Sequence, residues 1–126
     1  MFSHVVLGSN NIEESKRFYD ATLGAIGVNP GSLDAKGRAV YAHGGRLLLI
    51  TLPIDGEPAT HANGGTVGFA VESPEQADAW HAAGLANGGT ACEDPPGERE
   101  MDIGKFYLAY LRDPAGNKLC ALMPIA

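Results

Sequence analysis

One stretch of this chain occurs twice, and that repeat limits the folds open to it. His4 to Gly27 (HVVLGSNNIEESKRFYDATLGAIG) and Thr66 to Gly89 (TVGFAVESPEQADAWHAAGLANGG) align without a gap. Val5/Val67, Glu13/Glu75, Ala21/Ala83, Leu23/Leu85 and Gly27/Gly89 are identical, and the residue types agree more widely. Each copy opens on an apolar strand-like run and passes through a helix start and a helix to a glycine. A repeat of about half the chain predicts two equivalent modules, since a solenoid needs several shorter units. At 126 residues the chain can bury one core and not two independent ones, so the modules form a single domain.

In the first copy Val5 to Ser9 reads as a strand. Asn11 is an N-cap with Glu14 placed to complete a capping box. The helix is expected from Ile12 to about Leu23, with Ser15, Phe18 and Thr22 facing a sheet and Gly24 ending it in the left-handed conformation. Arg38 to Ala42 and Arg46 to Leu52 read as strands joined by His43-Gly44-Gly45, a hairpin signal. The unbroken Leu47-Leu48-Leu49-Ile50 predicts burial on both faces.

The second copy repeats the plan. Thr66 to Val71 is a strand, Ser73 an N-cap, Pro74 the first helical residue and Gln76 the partner that closes the box. Its helix ends near Gly84 and carries Ala77, Trp80 and Ala83 on one side. Phe106 to Arg112 and Lys118 to Met123 form a closing hairpin around Asp113-Pro114-Ala115-Gly116-Asn117, and short strands fit near Leu33 and Cys92. The polar segment Glu93 to Lys105 reads as a solvated loop, with a lid or dimer arm as the alternative. The fold class is α+β. Module one spans 1–55, a connector 56–65, and module two 66–126.

The net charge of −6 argues against sequence-independent nucleic-acid binding and against docking on anionic lipid. The opening Met1-Phe2-Ser3-His4 does not read as a signal peptide, and no apolar run reaches membrane-spanning length. Cys92 and Cys120 lack a zinc-knuckle spacing and read as reduced thiols of a cytoplasmic protein. The expected partner is a small soluble ligand, with no nucleic acid and no membrane. No serine nucleophile elbow, phosphate-cradling loop or His-Glu-x-x-His helix is present.

Taken in order, Phe2-Ser3-His4-Val5, then Arg17-Phe18-Tyr19 with Leu23-Gly24, then Leu111 to Leu119 (LRDPAGNKL) resemble the vicinal oxygen chelate superfamily. That group comprises glyoxalase, bleomycin-resistance and extradiol-dioxygenase proteins. The resemblance covers essentially the whole chain. It implies two tandem βαβββ modules whose mixed, mostly antiparallel sheets curl together into a cup, with helices outside, and a homodimer. It also implies a divalent cation such as zinc, nickel, manganese or iron in the members that use metal.

Four positions carry the expected site. His4 matches the usual first histidine ligand; Thr66, its repeat partner, stands where a second histidine is frequent. Cys120 stands where glutamate is usual, and the fourth position falls at Leu48. One histidine, one hydroxyl, one thiol and one leucine are a poor donor set for a hard or borderline cation. His4 is therefore a metal ligand or a strand-start histidine, and Cys120 a reactive thiolate or a small apolar filler; the two are the catalytic candidates. Leu48, Thr66, Tyr107 and Tyr110 are ligand-contact candidates, and each tyrosine has packing against a helix as its alternative. Two functions follow from the resemblance. One is a glyoxalase-like lyase, isomerase or dioxygenase acting on a small oxygenated metabolite. The other is a metal-free protein that binds and sequesters a small drug or toxin.

Overall fold

A computed structural model describes residues 1–126. Module one contains β1 (His4–Gly8), α1 (Ile12–Gly24), β2 (Ser32–Leu33), β3 (Ala39–His43) and β4 (Arg46–Thr51). Module two contains β5 (Val67–Ala70), α2 (Pro74–Ala86), β6 (Thr90–Ala91), β7 (Gly97–Met101), β8 (Gly104–Arg112) and β9 (Lys118–Ile125). No helix is long and apolar enough to cross a membrane.

Both N-caps follow the sequence, but the expected box at Asn11 is not closed by Glu14, because the Asn11 N–H donates to Ser9 Oγ at 3.0 Å. Asn11 accepts from the Glu14 N–H at 3.0 Å, and Ser73 from the Gln76 N–H at 3.1 Å. The Gln76 side chain reaches back and accepts from the N–H of Glu72, one residue before the cap. Gly24 is the last residue of α1 but is helical and not left-handed as expected; Ala25 is the cap, and Gly27 (φ 90°) takes the left-handed conformation. Segment 93–105 departs most from expectation. Gly97–Met101 is a strand that pairs antiparallel with β8.

The sheet topology corrects the expected cup. The strands form two separate sheets, β1-β4-β3-β2 and β5-β9-β8-β6, with β7 also on β8. Within each module the first strand runs parallel to the last, β1 on β4 and β5 on β9, and the other pairs are antiparallel. No strand of one sheet pairs with a strand of the other, so the α+β class and the two βαβββ-like modules hold while the sheets do not curl together.

The modules meet elsewhere, which explains the separation. Helix α1 packs on α2. Phe18 of α1, fully buried, lies against Gly84 and Gly89 of module two; a Cβ on Gly89 would stand 2.5 Å from its ring. A buried polar latch crosses the same boundary. The Tyr19 hydroxyl donates to Asp113 Oδ2 at 2.5 Å, and Asn117 Nδ2 donates to that oxygen at 2.8 Å and to the Gly8 carbonyl at 2.9 Å. Asp113 Oδ1 accepts from the N–H groups of Ala115 and Asn117. The aspartate-proline turn thus joins the end of module two to α1 and β1. With the modules fixed through helices and latch, the edges of β1 and β5 stay unpaired.

The helix-facing side of both sheets forms one core of Phe18, Tyr19, Tyr41, Ile50, Trp80, Leu111 and their neighbours. The Leu47–Ile50 run is buried only in part, because Leu47 on the open face is 43% exposed.

Candidate functional site: an apolar cavity between the modules

The separated sheets leave a cavity of about 390 Å³. Val5, Tyr41 and Leu48 of the first sheet form one wall, and Leu23, Ile26 and Val28 at the end of α1 form the floor. The edge strand β5, Val67 to Ala70, closes the other side. Ligand pockets typically span about 300–1,000 Å³ with mostly apolar walls, so this hollow lies at the small end of that range.

Strand register explains these walls. Tyr41 pairs with Leu48, and Leu48 with Val5, so all three share the helix-facing side of the sheet. In β5, Phe69 packs beside Trp80 of α2, with ring centroids 6.4 Å apart, and Val67, two residues away, shares that side. Ile26 and Val28 are held by the irregular end of α1, where the N–H groups of Ile26 and Val28 both bond the Leu23 carbonyl.

Polar groups enter at one place. Gly44 and Gly45 have φ of 57° and 77°, the two left-handed residues of a tight hairpin turn. That turn sets His43 directly opposite Arg46, on the same face as Tyr41 and Leu48, and both line the cavity. The Tyr41 hydroxyl is turned away, donating to Asp20 Oδ1 at 2.7 Å. Burial first, and then Asp20, raise the Tyr41 pKa well above the ordinary phenol value.

The residues singled out by sequence fall in several places. Leu48 lines the cavity. His4 pairs with Leu47 on the open face of the first sheet, exposed, with its Nδ1 2.8 Å from Ser3 Oγ. Cys120 lies on the open face of the second sheet, opposite Gly68 and Tyr110. Thr66 precedes β5 and is exposed. Tyr107 is on the helix-facing side and donates to Asp78 of α2 at 2.7 Å. Tyr110 is half-buried beside Cys120, with Lys118 Nζ 5.1 Å from its ring centre and ion-paired to Glu93.

No group of three or more His, Cys, Asp or Glu side chains stands close enough to hold an ion. His4 and Leu48 are on opposite faces of one sheet, while Cys120 belongs to the other sheet. The donor set therefore does not fit a resident divalent metal. Burial pushes the Cys120 thiol up, and the Glu93 carboxylate adds to this against the opposing effect of Lys118. That environment favours the neutral thiol and not a nucleophilic thiolate.

Sequence reasoning missed the β5 wall, the α1 tail and Arg46. A signal for Arg46 existed: a Gly-Gly two-residue turn places its flanking residues, here His43 and Arg46, on one face.

The duplicated α+β architecture, two βαβββ-like modules with an apolar hollow between them, defines a class of two-module domains. Residues 1–121 match the family model of the Glyoxalase/Bleomycin resistance protein/Dioxygenase superfamily, and the chain belongs to that family. A glyoxalase/bleomycin resistance protein from Albidiferax ferrireducens T118 is 60% identical, with a TM-score of 0.94 over 97% of this chain and 98% of that one. Two more distant structures share the fold. A glyoxalase/bleomycin resistance protein/dioxygenase family enzyme from Burkholderia phytofirmans PsJN is 19% identical, with a TM-score of 0.72 over 98% of each chain. A lactoylglutathione lyase from Agrobacterium tumefaciens is 20% identical, with a TM-score of 0.66 over 97% of this chain and 92% of that one. No curated protein matches the chain.

Proposed function

We propose that this protein binds a small, largely apolar molecule between its modules, without a resident metal, to sequester or carry it. The observation that carries the reading is the cavity of about 390 Å³ between the first sheet, the end of α1 and β5. Its walls offer hydrophobic burial worth ~25 cal/mol per Å² of apolar ligand surface removed from water. Their lining holds no serine, threonine or cysteine and no carboxylate beside His43, so binding is the chemistry the site supports best. Family membership is consistent with a small-molecule partner.

Calorimetric titration with 1-octanol, a neutral apolar probe, tests this. One molecule should bind per chain. Val67→Phe, which fills the cavity from β5, should abolish binding while the circular dichroism spectrum stays unchanged. No heat of binding to the native protein, or equal binding by the folded variant, would sink the reading.

The proposal includes a homodimer. Val6 and Leu47 expose apolar surface at the open face of the first sheet, and Phe2 just before β1 is exposed as well, which a second copy would cover. Light scattering should give twice the chain mass, and a monomer at micromolar concentration would remove this part.

A further inference from the structure

We infer that the ligand of the inter-module cavity is an amphipathic monocarboxylate, its apolar tail between the sheets and its carboxylate on Arg46. This rests on the proposed binding reading and names the chemical class of its ligand. The cavity is one-sided in polarity. Apart from the turned-away Tyr41 hydroxyl, the only polar side chains on its lining are His43 and Arg46. No aspartate or glutamate lines it, so nothing on the walls repels an anion.

Arg46 is free to take one. The ion pairs of the structure are Lys16–Asp20, Arg38–Asp34 and Lys118–Glu93, and Arg46 is in none of them, although the chain carries a net charge of −6. Its guanidinium makes one long bond, to the Gly45 carbonyl at 3.3 Å. The remaining N–H donors keep the planar fork that matches a carboxylate. The Gly44-Gly45 turn restricts where the pair can stand, and His43 opposite adds a ring N–H donor for the same anion. An ammonium head group would meet the Arg46 charge and be repelled. A neutral head group would leave the fork to water.

Three probes of equal chain length test the inference: octanoate, 1-octanol and octylamine, each titrated calorimetrically into the native chain and Arg46→Gln. Arg46 is exposed at a turn, so its replacement leaves the core intact. Octanoate should bind about tenfold more tightly than 1-octanol, a difference of ~1.4 kcal/mol. Octylamine should bind more weakly than either. In Arg46→Gln the octanoate-to-octanol ratio should fall to about one, and in the native chain the ratio should shrink as salt is added. Equal affinity for octanoate and octanol, or preference for octylamine, would overturn the carboxylate assignment and leave the apolar-ligand reading standing. Failure of all three probes to bind would overturn both.

Discussion

Tyr19→Phe isolates one bond of the latch that sets the module spacing. The native hydroxyl donates to Asp113 Oδ2 at 2.5 Å, with Tyr19 fully buried and Asp113 4% exposed. The substitution leaves the ring in place, so its edge-on contact with Phe18, at 4.9 Å between centroids, should survive. What is lost is a buried hydrogen bond to a carboxylate, worth ~1.5–3 kcal/mol. At about 2.1 cal/mol/K of unfolding entropy per residue, 126 residues give ~0.26 kcal/mol/K, so the melting midpoint should fall by about 6–11 °C. Urea unfolding followed by circular dichroism gives the free energy, and a thermal melt gives the midpoint. Asp113→Ala should cost more, because it also strands the Asn117 amide and the N–H groups of Ala115 and Asn117. In that background Tyr19→Phe should become neutral or stabilising, since it removes a hydroxyl with no acceptor left. A Tyr19→Phe loss below ~0.5 kcal/mol, or strict additivity of the two changes, would refute the latch as a coupled buried network.

Other expectations follow from the same boundary and from the buried phenols. Gly89→Ala would place a Cβ 2.5 Å from the Phe18 ring and 2.9 Å from the Gly84 carbonyl, and should cost ~1–3 kcal/mol by overpacking in urea unfolding. The pKa values of Tyr19 and Tyr41 are raised in the fold, by burial first and then by Asp113 and Asp20 respectively. The fold therefore favours their protonated forms. Their contribution is complete below the unfolded phenol pKa of about 10 and is lost as pH rises beyond it, so urea midpoints should fall above that pH, and less so in Tyr19→Phe. Ser73→Ala removes the acceptor for the Gln76 N–H and should lower stability by ~0.5–2 kcal/mol in the same assay.

Local features were legible because local physics sets them. The duplicated segment marked the two modules, Asn11 and Ser73 marked both helix starts, and the closing hairpin around Asp113 to Asn117 pairs as β8 and β9. What was illegible depended on distant partners. Strand β7 carries Glu98, Arg99 and Glu100, so its composition reads as loop, and pairing with β8 alone makes it a strand. Gly24 was expected to end α1 in the left-handed conformation, but it is the last helical residue; Gly27 takes that conformation three residues on, where the N–H groups of Ile26 and Val28 both find the Leu23 carbonyl. Asp113 and Asn117 marked a turn, but their partner Tyr19 lies 94 residues earlier than Asp113. The cup failed for the same reason: whether β1 and β5 meet depends on how Phe18 seats on Gly84 and Gly89 and on the latch, and neither appears in a strand's own sequence. The cavity is a product of that spacing, so its lining could not be read in advance.

The most direct measurement of the central claim is a heteronuclear NMR titration of the isotopically labelled chain with 1-octanol. Shifts should concentrate on Val5, Leu23, Ile26, Val28, Val67 and Phe69, the walls between the modules. Shifts centred instead on Cys120 and Tyr110 at the open face of the second sheet, or none at saturating probe, would contradict it.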